Sequence, residues 1–234
     1  FNRQAAKVKA LENGRRDANY YFGCNPCSEI ILRPYQFCNL TEVVARETDT
    51  VDTLKEKVRI ATILGTFQAT LTDFKYLRKI WKDNTEEERL LGVSLTGIMD
   101  NQLFNDYNTV FFEDGHQVFD GSRVGGILTR LKEKAIETNK KYSEMLGIPQ
   151  STAITCVKPS GTVSQLVDSA SGIHTRHSEY YIRTVRGDNK DPLTQFMKES
   201  GIPNEPDVMK PDSTTVFSFP MKAPEGATTR NEMS

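Results

Sequence analysis

The sequence has no long apolar run. None approaches the roughly 18 residues that a spanning helix needs, so no membrane role is expected. It also lacks net charge: 30 Lys and Arg against 31 Asp and Glu leave −1 over 234 residues. No global field therefore draws it to nucleic acid. Cysteine is sparse, with four residues. That excludes a disulfide scaffold and suits a reducing, cytoplasmic compartment. The three histidines, His116, His174 and His177, lie far from the cysteines in sequence. Walker A loops, internal repeats and low-complexity tracts are missing. The chain opens at Phe1 instead of Met and is expected to be a piece of a longer protein.

Three of the four cysteines fall within fifteen residues. The densest stretch is Asn25-Pro26-Cys27-Ser28-Glu29, with Cys38 eleven residues after Cys27 in Phe37-Cys38-Asn39-Leu40. In an extended segment, residues i, i+2 and i+4 face one side. Asn25, Cys27 and Glu29 are then expected to face one substrate. An amide holds a hydroxyl, a thiol does nucleophilic or one-electron chemistry, and a carboxylate takes a proton. Cys24 and Cys27 also form a C-x-x-C, but a tetrahedral zinc site needs about two further ligands. No metal site is assigned, and Cys24 reads most simply as a buried thiol.

Strands alternating with helices indicate an α/β fold. Residues 3–18 read as a polar helix and 20–45 as strand, loop and strand. Residues 50–82 carry apolar positions at helical spacing. Thr85 and Glu88 fit a capping box that would start a helix. The following run, Leu90 to Met99, reads as a helix or turn packed closely through Gly92 and Gly97. Residues 101–125 are rich in loop signals, and 126–147 form an amphipathic helix ended by Gly147 and Pro149. A strand is expected over 152–157, a helix from 163, and strands around 180–185 and 214–219.

Between the strand at 152–157 and the helix at 163 lies Lys158-Pro159-Ser160-Gly161-Thr162-Val163-Ser164. Free N–H groups at such a junction can bind phosphate, although an ordinary helix cap explains the same pattern. His174 and His177, three apart, read as loop residues in preference to metal ligands. Tyr180-Tyr181 fits strand alternation better than a redox pair.

The strings NPCSE and FCNL, with LGVSLTGIMD (91–100), PSGTVS (159–164) and SGIHTRHSEYYIRTVR (171–186), resemble the catalytic subunit of ribonucleotide reductases. The Cys27 to Cys38 spacing is most similar to the monomeric, adenosylcobalamin-dependent (class II) ribonucleoside-triphosphate reductase type. The resemblance implies part of a ten-stranded α/β barrel with a central finger loop at about 22–40 and a phosphate-binding strand–turn–helix at about 152–168. It implies reduction of ribonucleotides to 2′-deoxyribonucleotides through a thiyl radical on Cys27. Glu29 would take the 3′-hydroxyl proton, Asn25 would hold ribose hydroxyls, and Cys38 would deliver reducing equivalents. Pro159, Ser160, Gly161, Thr162, Val163 and Ser164 would bind the substrate phosphates. The implied cofactor is adenosylcobalamin, with a thioredoxin-like dithiol as reductant and a monomer as the assembly.

The resemblance also implies missing parts: an upstream partner for Cys38, a C-terminal cysteine pair and N-terminal control elements. The chain alone is expected to be inactive. Two other readings stay open at this point. One is a class I large subunit fed by a separate radical subunit. The other is a non-catalytic zinc- or nucleotide-binding module built on Cys24, Cys27 and Cys38.

Overall fold

The protein is described from a computed structural model that covers residues 3–13, 16–105, 109–111, 117–119 and 122–233. The end of the helix expected over 3–18 falls partly outside these residues, as does His116. Helix α1 (Arg3–Asn13) buries Ala6 and Ala10, one turn apart, against Phe22. Strands β1 (Gly23–Cys24) and β2 (Ile31–Leu32) pair antiparallel. Strand β3 (Asn39–Val44) leads into helices α2 (Val51–Gln68) and α3 (Lys79–Glu88). The chain then returns as β4 (Leu91–Thr96), parallel to β3 with Leu40 opposite Gly92.

This β3–α2–α3–β4 crossover is the α/β unit expected from sequence. Its core joins Val43, Leu54, Val58, Leu91 and Val93 to Leu131 and Ala135 of a later helix. A fully buried Leu such as Leu54 or Leu91 contributes about 1.5–3 kcal/mol.

Two expectations are corrected here. The run from Leu90 is strand β4, not a helix or turn. A parallel strand covered on both faces carries no alternation, so its period is unreadable. Gly92 is nonetheless a point of close approach: a Cβ there would collide with the Leu40 side chain and press on Cys156 Sγ at 3.1 Å. The box at Thr85–Glu88 caps nothing, because these residues end α3, and Arg89 closes it in the left-handed region. The reciprocal box sits at α2, where Thr50 and Thr53 exchange side-chain and backbone bonds. Glu88 serves a long-range ion pair instead.

A 3₁₀ turn (Ile98–Asp100) and the short α4 (Gln102–Asn105), β5 (Thr109–Phe111) and β6 (Gln117–Phe119) follow. The long α5 (Ser122–Leu146) packs on α2 and ends at Gly147, whose φ is 65°. Residues 153–156 form only a bridge-like extension beside β4, with Thr155 opposite Val93. The strand expected over 152–157 is thus reduced to a short parallel contact. The helix expected from 163 is one turn, α6 (Val163–Leu166). Strand β7 (Tyr180–Asp188) pairs antiparallel with β9 (Thr214–Lys222), matching both expected strands. Helix α7 (Pro192–Glu199) and β8 (Asn204–Pro206) lie between them. No helix among the described residues is long and apolar enough to cross a membrane.

Candidate active site

Residues 25–30 form the tip of the β1–β2 hairpin. Pro26 suits the second position of the turn that the Ser28 N–H closes on the Asn25 carbonyl at 3.0 Å. Ser28 takes a φ of 65°. The Asn25 N–H donates to the Ile30 carbonyl at 3.2 Å, and Asn25 Oδ1 accepts from the Ile30 N–H at 3.0 Å. The extended segment with three side chains on one side is therefore corrected to a turn. Cys27 is exposed at its tip. Asn25 braces the loop with its amide oxygen. Glu29 turns inward, its side chain 3% exposed.

The hairpin's base is held hard. The Arg16 guanidinium grips both Glu88 oxygens at 2.9 Å and the Ile31 carbonyl at 2.9 Å. Gln36 donates to the same buried Glu88. Arg33 pairs with Glu87 at 2.6 Å. Beyond the hairpin, Phe37 stacks on Trp81 with ring centroids 4.7 Å apart. These contacts set the direction in which Cys38 enters β3.

Glu29 has the most informative surroundings. Neither carboxylate oxygen makes a well-formed hydrogen bond among the described residues. The Lys158 ammonium lies 3.5 Å from Oε1. Burial pushes the Glu29 pKa up. Its own backbone N–H, the Asn25 amide and Lys158 outweigh that effect, so the carboxyl titrates below its usual range. Cys38 and Cys156 share these surroundings. Burial, then the neighbouring Cys156 and Glu29, push the Cys38 thiol up to about 12. Burial and Glu29 push Cys156 up to about 11. Both are therefore thiols, not thiolates, at neutral pH. Glu42 Oε1 and Ser94 Oγ, on residues opposite one another across β3 and β4, add buried oxygens with no hydrogen-bond partner among the described residues. Glu29 and Ile30 also line a cleft of about 590 Å³, with Lys9, Arg16 and Lys132 on its walls.

Residues 158–164 form a tight turn beside this interior. Ser160 Oγ accepts from the Ser164 N–H at 3.1 Å, and Ser164 Oγ donates to the Ser160 carbonyl at 2.6 Å. Both hydroxyls are buried and tie the turn to itself. Ser164 Oγ thus spends its proton within the turn. Pro159, Gly161, Thr162 and Val163 are exposed, and the N–H groups of Gly161, Thr162 and Val163 donate to no acceptor among the described residues.

A strap behind the turn fixes it. Ser171 Oγ donates to the Ser160 carbonyl. Thr96 Oγ1 accepts from the Gly172 N–H at 2.8 Å and donates to the Ala170 carbonyl at 3.1 Å. Asp100 accepts the Ala170 N–H at 2.7 Å and the Arg176 guanidinium through two bonds of 2.8 Å. Arg176 also reaches Asp168 at 2.9 Å.

The structure thus brings Glu29, Cys38, Cys156 and Lys158 together, while Cys27 stands at the hairpin tip and Cys24 Sγ reaches Ser28 Oγ at 3.5 Å. Among the described residues, no three His, Cys, Asp or Glu side chains gather as a metal site. His174 and His177 are exposed, and Tyr181 accepts weakly from Arg176 at 3.4 Å. Sequence reasoning left out Lys158, Cys156, Glu42 and the Asp100–Arg176 pair. Lys158 was the first residue of the turn motif, and Asp100 and Arg176 lay within the segments 91–100 and 171–186, but none carried a role there.

No family model matches the chain. It is 34% identical over 214 residues to the adenosylcobalamin-dependent ribonucleoside-triphosphate reductase of Lactobacillus acidophilus, covering 86% of this chain and 28% of that protein. It is 28% identical over 236 residues to the enzyme of the same name from Lacticaseibacillus paracasei, covering 95% of this chain and 31% of that one. Its fold superposes with a TM-score of 0.69 on the crystal structure of a B12-dependent (class II) ribonucleotide reductase, at 28% identity over 87% of this chain and 30% of the other. The chain spans less than a third of the length of these relatives.

Proposed function

The chain belongs to the ribonucleotide reductase catalytic-subunit family and carries part of its α/β barrel; from that premise we propose that the protein containing it reduces ribonucleoside triphosphates to 2′-deoxyribonucleotides by a thiyl-radical route. The observation that carries the proposal is the convergence of a buried, ionised Glu29, the thiol Cys38 and the turn at 158–164 on one interior, beneath a hairpin with Cys27 at its tip. Residues 22–40 act as the finger loop and 152–168 as the phosphate element of one catalytic barrel.

In this reading Cys27 carries the radical and takes the ribose 3′-hydrogen. Glu29 accepts the 3′-hydroxyl proton, which assists loss of the 2′-hydroxyl as water. The Asn25 amide, which also leans on Glu29, offers its remaining N–H to a ribose hydroxyl, its oxygen being engaged by Ile30. Once water is lost, Cys38 gives a hydrogen atom to the 2′-carbon; Cys38 and a thiol partner together supply two electrons and end as a disulfide, and Cys27 returns the 3′-hydrogen and regains its radical. The N–H groups of Gly161, Thr162 and Val163 hold phosphate, with Pro159 shaping the turn and Ser160 and Ser164 bracing it from within.

Adenosylcobalamin supplies a carbon radical able to open a thiol S–H bond. The exposed Cys27 fits that need for a reachable hydrogen donor. No residue is assigned to hold the corrin, since His174 has no Asp two positions before it in an Asp-x-His-x-x-Gly pattern. A thioredoxin-like dithiol as reductant, a monomeric assembly and a cytoplasmic location complete the proposal.

The test is turnover by the full-length protein with adenosylcobalamin, a dithiol and a ribonucleoside triphosphate. The wild type is expected to form deoxynucleotide, and Cys27→Ser none. Cys38→Ser is expected to keep the first hydrogen abstraction, read as tritium exchange from 3′-labelled substrate, and to lose multiple turnover. Full turnover by Cys27→Ser would overturn the proposal.

A further inference from the structure

Glu29 combines three properties that seldom coexist. Its side chain is 3% exposed, its two oxygens lack well-formed hydrogen bonds among the described residues, and it is nonetheless on the charged side of its titration at neutral pH. An unpaired carboxylate in such surroundings takes up a proton instead. Its own backbone N–H and the Asn25 amide lean towards it, and among the described residues the opposite charge within ion-pair distance is Lys158, at 3.5 Å.

Lys158 is placed to act from a distance in sequence. It follows the 153–156 segment that lies against β4, and it begins the turn strapped by Ser171 and Gly172. A Cβ on Gly172 would sit 3.2 Å from the Lys158 carbonyl, so the strap closes directly on the Lys158 backbone. The Lys158 side chain is 30% exposed, which leaves its stem free to span from the turn to the finger loop.

The other groups facing this point differ in effect. Cys38, from the start of β3, and Cys156, beside β4, are neutral thiols at neutral pH. Glu42 on β3 adds a negative charge near Cys156. Arg16, Lys9 and Lys132 line the cleft that Glu29 also lines, and Arg16 is already committed to Glu88. Asn25 leans on Glu29 but carries no charge.

We propose that Lys158 is a positioning residue that keeps Glu29 ionised and turned into the interior, so that the phosphate turn and the proton acceptor act as one unit. This deepens the reductase reading and rests on it for its catalytic meaning, while the pairing itself stands on geometry. It implies that a displaced phosphate turn also disables the base. A phosphate element and a base built independently would not share that failure.

The test is a difference-infrared titration of full-length protein labelled with ¹³C-glutamate, in which the Glu29 band is assigned by subtracting Glu29→Gln. In Lys158→Met the protonation midpoint is expected to rise by about one pH unit, and Lys158→Arg is expected to restore it. The acid limb of kcat/KM should move upward in step. A midpoint in Lys158→Met equal to wild type would overturn the proposal, as would a Lys158→Arg midpoint displaced as far as that of Lys158→Met. Should Lys158→Met fail to fold, Lys158→Gln is held to the same criteria. An infrared displacement without any deoxynucleotide formation would uphold the pairing and refute the reductase reading.

Discussion

The β1–β2 hairpin and the turn at 158–164 are both short loops, yet they are held in opposite ways. The hairpin is clamped at its base by Arg16, Glu88 and Gln36, while its tip is held by the bonds among Asn25, Ser28 and Ile30, by Cys24 against Ser28, and by the Lys158 ammonium beside Glu29. The turn at 158–164 is braced along its length by Ser160 and Ser164 and from behind by Ser171, Thr96, Asp100 and Arg176. A phosphate site built from backbone N–H groups works only if those groups are already aimed. A loop that presents a thiol needs a fixed root and an accessible tip. The difference in bracing fits the two tasks proposed for these loops.

The comparison breaks first at Glu29. Glu29→Gln in full-length protein is expected to lower kcat by roughly 10²–10⁴-fold with the urea midpoint almost unchanged. A large loss of stability in its place would make Glu29 a structural residue.

The next effect is on the strap. Arg176 and Asp100 are each 3% exposed in the side chain, and removing one partner of a buried pair leaves the other charge uncompensated. Arg176→Met is expected to cost about 3–5 kcal/mol in urea denaturation and to raise KM for the triphosphate substrate. Stability within 1 kcal/mol of wild type, on the order of a surface substitution, would show that the strap does not hold the turn.

Asn25→Ala removes the acceptor of the Ile30 N–H together with the amide that leans on Glu29, and is expected to cost about 1 kcal/mol. The loss should be read as faster hydrogen exchange confined to the Ile30 amide. Exchange that quickened across β3 as well would mean that tip and base are one unit, against the comparison.

The last effect concerns Cys38 and is confined to alkaline pH. Its folded pKa of about 12 exceeds the ordinary value of 9.0 because burial disfavours the thiolate. The unfolded chain therefore loses this proton first as pH rises. The stability from the buried thiol is intact below pH 9 and is lost as pH climbs from 9 towards 12. Cys38→Ala should flatten that alkaline slope. A slope equal to that of wild type would place the titration elsewhere.

What the sequence disclosed differs between the two loops for a physical reason. Helix α5, its stop at Gly147, and strands β7 and β9 follow from local periodicity and punctuation. The hairpin tip was legible as a loop because Pro26 blocks a helix, but its turn put Asn25, Cys27 and Glu29 in three different environments. Strand β4 was hidden because burial on both faces erases the period. Thr85 and Glu88 imitated a helix start because a capping box and a helix end share residue types, and only Arg16, 72 residues away, shows what Glu88 does. Lys158 and Glu29 lie 129 residues apart, and Arg176 and Asp100 76. No local pattern encodes such pairs. The family resemblance located the loops, and the folded chain supplied their bracing.

The most direct test of the account is a structure of the full-length protein with a bound ribonucleoside triphosphate. The account predicts phosphate oxygens within hydrogen-bond reach of the Gly161, Thr162 and Val163 N–H groups, with the ribose between Cys27 and Glu29. A triphosphate seated away from this turn, or a ribose out of reach of both Cys27 and Glu29, would contradict it.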